Sequence, residues 1–256
     1  MLYLLLWGCS PIEAPEEYDD LASYLYEHLQ DDPEYLEVGM SQLYTLLEEE
    51  SEAIDKGYRL NTLSWEAIQT VDDREDAPAD LLGIAKSVDF SYGVDDLAYV
   101  NFQVHPRDVF TNPNAVNERT YIGDPECFVA QECEFLIYEA VLQRFLPLNI
   151  VATIYFSTEI RWVQTEYGMA FIQRRWLTDD PEINVDWLQV DAGYSLAITL
   201  PSTTTATAKQ IEHVWGGVAL GDLPLPEDGA YMVATDVLGN ILGQFEEYLD
   251  EHPRPE

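Results

Sequence analysis

From Leu188 to Leu200 the chain alternates with a period of two. Val190, Ala192, Tyr194, Leu196, Ile198 and Leu200 share one side, and Gln189, Asp191, Gly193, Ser195, Ala197 and Thr199 take the other. Successive strand side chains point to opposite faces, so this run predicts a half-buried β-strand. Ile150 to Trp162 repeats the pattern, with Ile150, Ala152, Ile154, Phe156, Ile160 and Trp162 on one face. Leu97–Val104, Gly168–Leu177 and Ala206–Leu220 complete the expected strands, separated by turn-rich pieces such as Thr178-Asp179-Asp180-Pro181 and Pro201-Ser202-Thr203. Connections this short leave no room for crossover helices, so the strands are expected to pair antiparallel.

Before residue 80 the period is that of a helix. Leu21, Leu25, His28 and Leu29 line one face until Asp32-Pro33 breaks it. A second helix from Glu34 carries Leu36, Met40, Leu43, Tyr44 and Leu47 and stops at Gly57, and a third runs from an N-cap at Asn61 or Thr62 through Trp65, Ile68 and Val71. Residues 72–80 are charged and closed by a proline, which suits a linker at a subdomain boundary. The last helix, from Ala230 to Asp250, bears the stripe Val233, Val237, Leu238, Ile241, Leu242, Phe245 and Leu249, with Gly239 and Gly243 four apart. The expected fold class is α+β. A helical segment over 21–78 precedes a body over 79–252, in which a curved antiparallel sheet has a long C-terminal helix packed on it.

Charge narrows the partners. Forty-eight acidic residues face 12 Lys and Arg, a net charge of −36. Such a surface repels phosphate backbones and anionic lipid head groups, so nucleic acid is not an expected partner. Through residue 55 there are 15 acids and no base, and the run Glu48-Glu49-Glu50 reads as a solvated face. The cations are the rarer signal. Arg161, Arg174 and Arg175 all fall in expected strands, and Arg174 shares the apolar side with Ile172 and Trp176. A buried cation needs a partner. One reading makes Arg174 an anion anchor in an aromatic-lined ligand cavity with Trp162, Trp176, Tyr194 and Trp215. The other pairs it with a carboxylate of the same chain at the sheet rim.

The stretch Met1 to Gly8 is apolar, ends at Cys9, and is too short to span a bilayer. Leu6-Trp7-Gly8-Cys9 resembles the lipobox of a bacterial lipoprotein signal peptide. It departs from that pattern in the bulk of Trp7, the short apolar run and the lack of a basic leader. The resemblance implies that residues 1–8 are a signal remnant, that Cys9 is lipidated and anchors the protein to a membrane of the bacterial cell envelope, and that residues 9–20 are a tether. Cys127 and Cys133, five residues apart, are then the remaining pair: a disulfide loop is expected, with free or metal-bound thiols as alternatives. No CxxC repeat or paired histidine accompanies them, so no metal is expected.

Locally recognisable catalytic or cofactor motifs are absent, so no cofactor is expected. The order of a sheet and a final helix over 82–251, joined by a phrase from Trp215 containing Gly216-Gly217 and Leu223-Pro224-Leu225-Pro226, resembles the helix-grip arrangement of START-like lipid-binding domains. The pair of helices which that family carries between its first two strands is not evident. The resemblance implies an apolar small molecule held between sheet and helix. The alternative is a secreted hydrolase whose base is a carboxylate, His105 or His213.

Overall fold

The computed structural model describes residues 11–76, 78, 81–110, 116–146, 149–203, 207–219 and 242–255. The chain begins with α1 (Tyr18–Glu27), a single 3-10 turn at His28–Gln30, and α2 (Pro33–Lys56), which Gly57 ends at φ 104°. β1 (Tyr58–Leu60) and α3 (Trp65–Gln69) follow. The N-cap of α3 is Ser64, whose hydroxyl accepts from the Ala67 N–H, and not Asn61 or Thr62. Next come β2 (Leu82–Phe90), α4 (Val94–Phe102), α5 (Pro106–Val109), β3 (Val116–Ile122), α6 (Pro125–Val129), β4 (Phe135–Leu146), β5 (Ile150–Thr165) and β6 (Gly168–Leu177). β7 (Glu182–Ile183), β8 (Gln189–Pro201), β9 (Ala208–Ala219) and α7, helical over 242–251, complete the described elements.

All strands join one antiparallel sheet in the order β1-β2-β9-β8-β6-β5-β4-β3, with β7 added beside β5. β1 pairs with β2, so the helical first part of the chain and the later body share this sheet. The α+β class expected from the periodicities is the one found.

Leu97–Val104 is not a strand. It belongs largely to α4, whose buried Val94, Leu97, Ala98, Asn101 and Phe102 recur at helical spacing. Asp95 and Asp96 sit in its first turn, and Asp96 accepts from the Gly93 N–H. The period-two pattern there is a coincidence of two overlapping periods. α4 and α5 thus stand between β2 and β3, where no helices were evident in the sequence. β2, β3 and β4 lie outside the expected set of strands. In β4 the run Phe135-Leu136-Ile137 is apolar on both sides and hides the alternation.

The sheet is covered on both faces, and the two coverings differ. On one side α1, α2 and α3 pack against Ala85, Val163, Ile172, Leu196, Ile198, Leu200, Ile211 and Trp215, all buried. On the other, α4, α5, α6 and α7 pack against Leu136, Phe156, Ile160, Trp162 and Phe171. β8 is therefore not half-buried: Ala197 and Thr199, on its expected solvent side, are enclosed as well. Leu242, Phe245 and Leu249 of α7 are buried and Gly243 contacts nothing on its open side. The earlier part of the expected stripe, with Val233, Val237, Leu238, Gly239 and Ile241, lies outside the described residues, as does Cys9.

Candidate functional site

The five residues picked as cavity candidates divide between the faces. Tyr194, Trp215, Trp176 and Arg174 point toward α1–α3, and Trp162 points the other way, stacked on Phe128 with its Nε1 donating to the Phe128 carbonyl at 2.7 Å. Arg174 has an intramolecular carboxylate partner, buried and not at the rim: its Nε donates to Glu159 at 2.7 Å and its Nη1 to the Tyr26 carbonyl at 2.9 Å. Tyr194 donates to Asp72 at 2.8 Å, which fixes one end of the expected linker to the sheet.

The histidine candidates are also accounted for. His105 is the N-cap of α5, accepting from the Arg107 N–H. His213 is enclosed, with Nδ1 donating to the Leu196 carbonyl at 2.9 Å and Nε2 accepting from the Tyr18 hydroxyl at 2.8 Å. Burial pushes its pKa down to about 4, against the pull of the Leu196 carbonyl. The unfolded chain takes up a proton near pH 6.5 that the folded state refuses until about pH 4. Stability from this group is therefore complete above pH 6.5 and is lost as pH falls through that interval, by about 3 kcal/mol. Relaxing carboxylate repulsion acts in the opposite direction over the same range. The expected result is that urea unfolding of wild type loses about 3 kcal/mol more than His213→Gln between pH 7 and pH 4.

The side of the sheet facing α4–α7 holds a different chemistry. Directly opposed residues of antiparallel strands share a face. Following the register from β9 to β3, one row reads Val214, Ser195, Arg175, Thr158, Tyr138 and Tyr121. The row on one flank contains Lys86, Glu212, Ala197 and Gln173, and the row on the other contains Gly216, Gly193, Leu177, Phe156, Ala140 and Arg119. Polar groups thus run across mid-sheet, bordered by Phe156, Ile160, Trp162 and Phe171.

These groups form two clusters. Gln210 donates to Glu212 at 2.8 Å. Arg175 donates to Thr158 at 3.4 Å and reaches the Tyr138 hydroxyl at 3.5 Å, with its guanidinium 4.6 Å from the Phe156 ring centre. Arg119 lies over the Tyr138 ring at 5.0 Å and donates to the Asn101 carbonyl. Burial raises the Tyr138 phenol, but Arg119, Arg175 and hydrogen bonding outweigh it and bring the group below its ordinary range. Burial pushes the Glu212 carboxyl up, against the pull of Arg175 and the hydrogen bond with Gln210.

Two observations set this face apart from a packed core. Thr199 Oγ1, Gln210 Oε1 and Arg119 Nε are buried with no partner among the described residues. Thr199 and Gln210 oppose one another on β8 and β9, and are 0% and 3% exposed. Then, along β9, Ile211, His213 and Trp215 are sealed toward the N-terminal helices, whereas Glu212, Val214 and Gly216 on the other side keep accessible surface. β9 is an interior strand. Ser195 and Arg175 beside it are accessible too, so space opens over the middle of the sheet. Of these residues the sequence marks only Arg175, as a cation in an expected strand, and none as a site residue. Gln210/Glu212, Gln173/Arg175 and Ser195/Thr199 alternate as solvent-facing strand residues do, and only the helices laid over them distinguish the cases.

Cys127 and Cys133 form a disulfide, with Cα atoms 5.4 Å apart, which ties α6 to the segment entering β4. Among the described residues no cluster of three or more His, Cys, Asp or Glu is placed to hold a metal ion, and no helix is long and apolar enough to cross a membrane.

No family model and no curated protein matches the chain. Among solved structures, it is similar to a STAR-related lipid transfer protein (fragment 25–204) from Xanthomonas axonopodis, at 11% identity and a TM-score of 0.45, over 70% of this chain and 97% of that one. It is also similar to a START superfamily protein from Mycobacterium smegmatis, at 9% identity and a TM-score of 0.42, over 66% and 97% of the two chains. A third similar structure is Ara h 8.0201, at 11% identity and a TM-score of 0.39, over 67% and 99%.

Proposed function

We propose that the protein is a binding module for an apolar small molecule, held on the face of the sheet that α4–α7 cover. The observation that carries this reading is the burial pattern of β9. In the interior of a sheet with helices on both sides, Glu212, Val214 and Gly216 keep accessible surface while their neighbours toward α1–α3 are sealed. Accessible apolar side chains, Val214 and Leu177, next to a few convergent polar groups are the usual composition of a small-molecule site.

The test is a titration with N-phenyl-1-naphthylamine, a neutral probe whose fluorescence rises on leaving water. Saturable binding of one probe per chain is expected, with a Kd of about 10 µM, or roughly 0.4 kcal/mol per heavy atom of the probe. A response that never saturates, or none at all, contradicts the reading.

We further propose that the module is exported and anchored to an envelope membrane through lipid on Cys9. The lipobox-like Leu6-Trp7-Gly8-Cys9 and the Cys127–Cys133 disulfide, a bond suited to an oxidising compartment, support this. Intact mass of protein taken from its native membranes should show a chain beginning at Cys9 with added acyl mass. An unprocessed chain with free thiols rules the anchor out.

A further inference from the structure

We propose that the molecule bound over the sheet is an amphiphile with an oxyanionic head group, received between Arg119 and Arg175 beside Tyr138. This rests on the binding reading above and names the chemistry of the ligand.

The other enclosed cations of the ion pairs on this chain sit beside carboxylates. Arg174 pairs with Glu159 at 2.6 Å, Arg161 with Glu134 at 2.5 Å, and Lys209 with Asp55 and Asp89 at 3.0 and 3.2 Å. With 48 acids available, a carboxylate beside an arginine is the ordinary outcome. Arg119 and Arg175 depart from it. Among the described residues neither has a carboxylate in ion-pair contact, and their neighbours are a backbone carbonyl, hydroxyls and aromatic rings. Glu212 feels Arg175 without pairing with it. Two enclosed guanidinium groups on one face, converging on one phenol, leave positive charge that the described residues do not neutralise.

Geometry places the head group. Arg119 stands on β3 and Arg175 on β6, about 14 Å apart across three strand spacings. Their side chains close that gap to meet at Tyr138, one over its ring and the other at its hydroxyl. Tyr138 lies buried beneath them, while both arginines keep accessible surface, so an oxyanion arriving over the sheet meets their N–H donors. From there the accessible surface runs past Leu177 and Ser195 to Val214. An anionic head at the arginines with an apolar tail along the sheet fits that order. The overall charge of −36 repels free anions, so a preference for them has to come from this local site.

The experiment is displacement of bound N-phenyl-1-naphthylamine by three twelve-carbon molecules, each below its micelle or solubility limit: dodecanoate, dodecyl phosphate and dodecanol. At least one of the two anions should displace the probe at a concentration ten or more times lower than dodecanol does. The two anionic arms separate carboxylate from phosphate recognition. In Arg175→Gln and Arg119→Gln the preference for an anion over dodecanol, each referred to that variant's own probe affinity, should shrink toward unity, and a cooperative urea unfolding transition shows each variant folded; a preference that stays tenfold or more in both variants overturns the inference. Equal displacement by dodecanol and both anions overturns the inference and leaves the binding reading standing. Absence of probe binding to wild type overturns the binding reading, and this inference falls with it.

Discussion

Arg174→Met is expected to cost about 3–5 kcal/mol of folding stability, the usual consequence of removing one member of a buried ion pair. The guanidinium reaches Glu159 at 2.6–2.7 Å, the Tyr26 carbonyl at 2.9 Å and Thr70 Oγ1 at 3.0 Å. Arg161, from the neighbouring strand, donates to the Leu29 carbonyl at 3.0 Å and to the Asp31 carbonyl at 2.5 Å. A helix ends with carbonyls that lack intrahelical donors. The two arginines therefore satisfy the chain at the end of α1 and hold it on the sheet. Methionine preserves most of the packing volume but leaves the Glu159 charge without its cation, held among the described residues only by the Gln30 amide at 2.5 Å, and the Tyr26 carbonyl without this donor. Adding Glu159→Leu should restore part of the loss by removing the stranded carboxylate, and not all of it, because the carbonyl stays unsatisfied. Urea unfolding of the two single variants and the double variant measures this. A single-variant loss below about 1 kcal/mol would mean that the pair behaves as a surface salt bridge.

Ser195→Trp is expected to abolish probe binding, raising the Kd at least about a hundredfold, with a stability cost under about 1.5 kcal/mol. Ser195 sits between Val214 and Arg175 on the accessible part of the sheet. If that part is open, an indole enters the space a ligand takes and clashes with little. If it is a packed core, the same change forces neighbours off their rotamers and costs about 1–3 kcal/mol or more. The matching substitution on the sealed face is Leu196→Trp. Leu196 is fully buried against the N-terminal helices. This variant should be strongly destabilised and should not block the probe to the extent it remains folded. Probe titration and urea unfolding of both variants separate filling a site from overpacking a core.

Much of the fold was legible because period and breaker residues agreed. β5, β6, β8 and β9 were read from alternation, and α2 from its stripe and its stop at Gly57. α4 was misread because Ala98, Val100, Phe102 and Val104 satisfy period two by chance, while the helix signal resided in Gly93, Asp95 and Asp96. The site was not legible, for a physical reason. Arg174 and Arg175 are adjacent, so strand geometry sends them to opposite faces. The sequence offered Arg174 as the one worth noting because it kept apolar company, and that company turned out to be a core. Arg175 kept polar company, which looks the same in sequence whether the face meets water or a ligand space under helices. Glu212, Gln210 and Thr199 were hidden in the same way. What points to them is that Gln173/Arg175, Ser195/Thr199 and Gln210/Glu212 share one face of three neighbouring strands, which is visible only once β6, β8 and β9 are paired.

The central claim is that the face under α4–α7 takes up a small apolar molecule and the face under α1–α3 does not. Methyl-labelled protein with bound N-phenyl-1-naphthylamine, studied by intermolecular NOE, locates the probe directly. The account predicts NOEs from the naphthyl protons to the methyl groups of Val214 and Leu177, which keep accessible surface on that face. NOEs confined to Ile172, Ile198 and Ile211, on the opposite face, would contradict it.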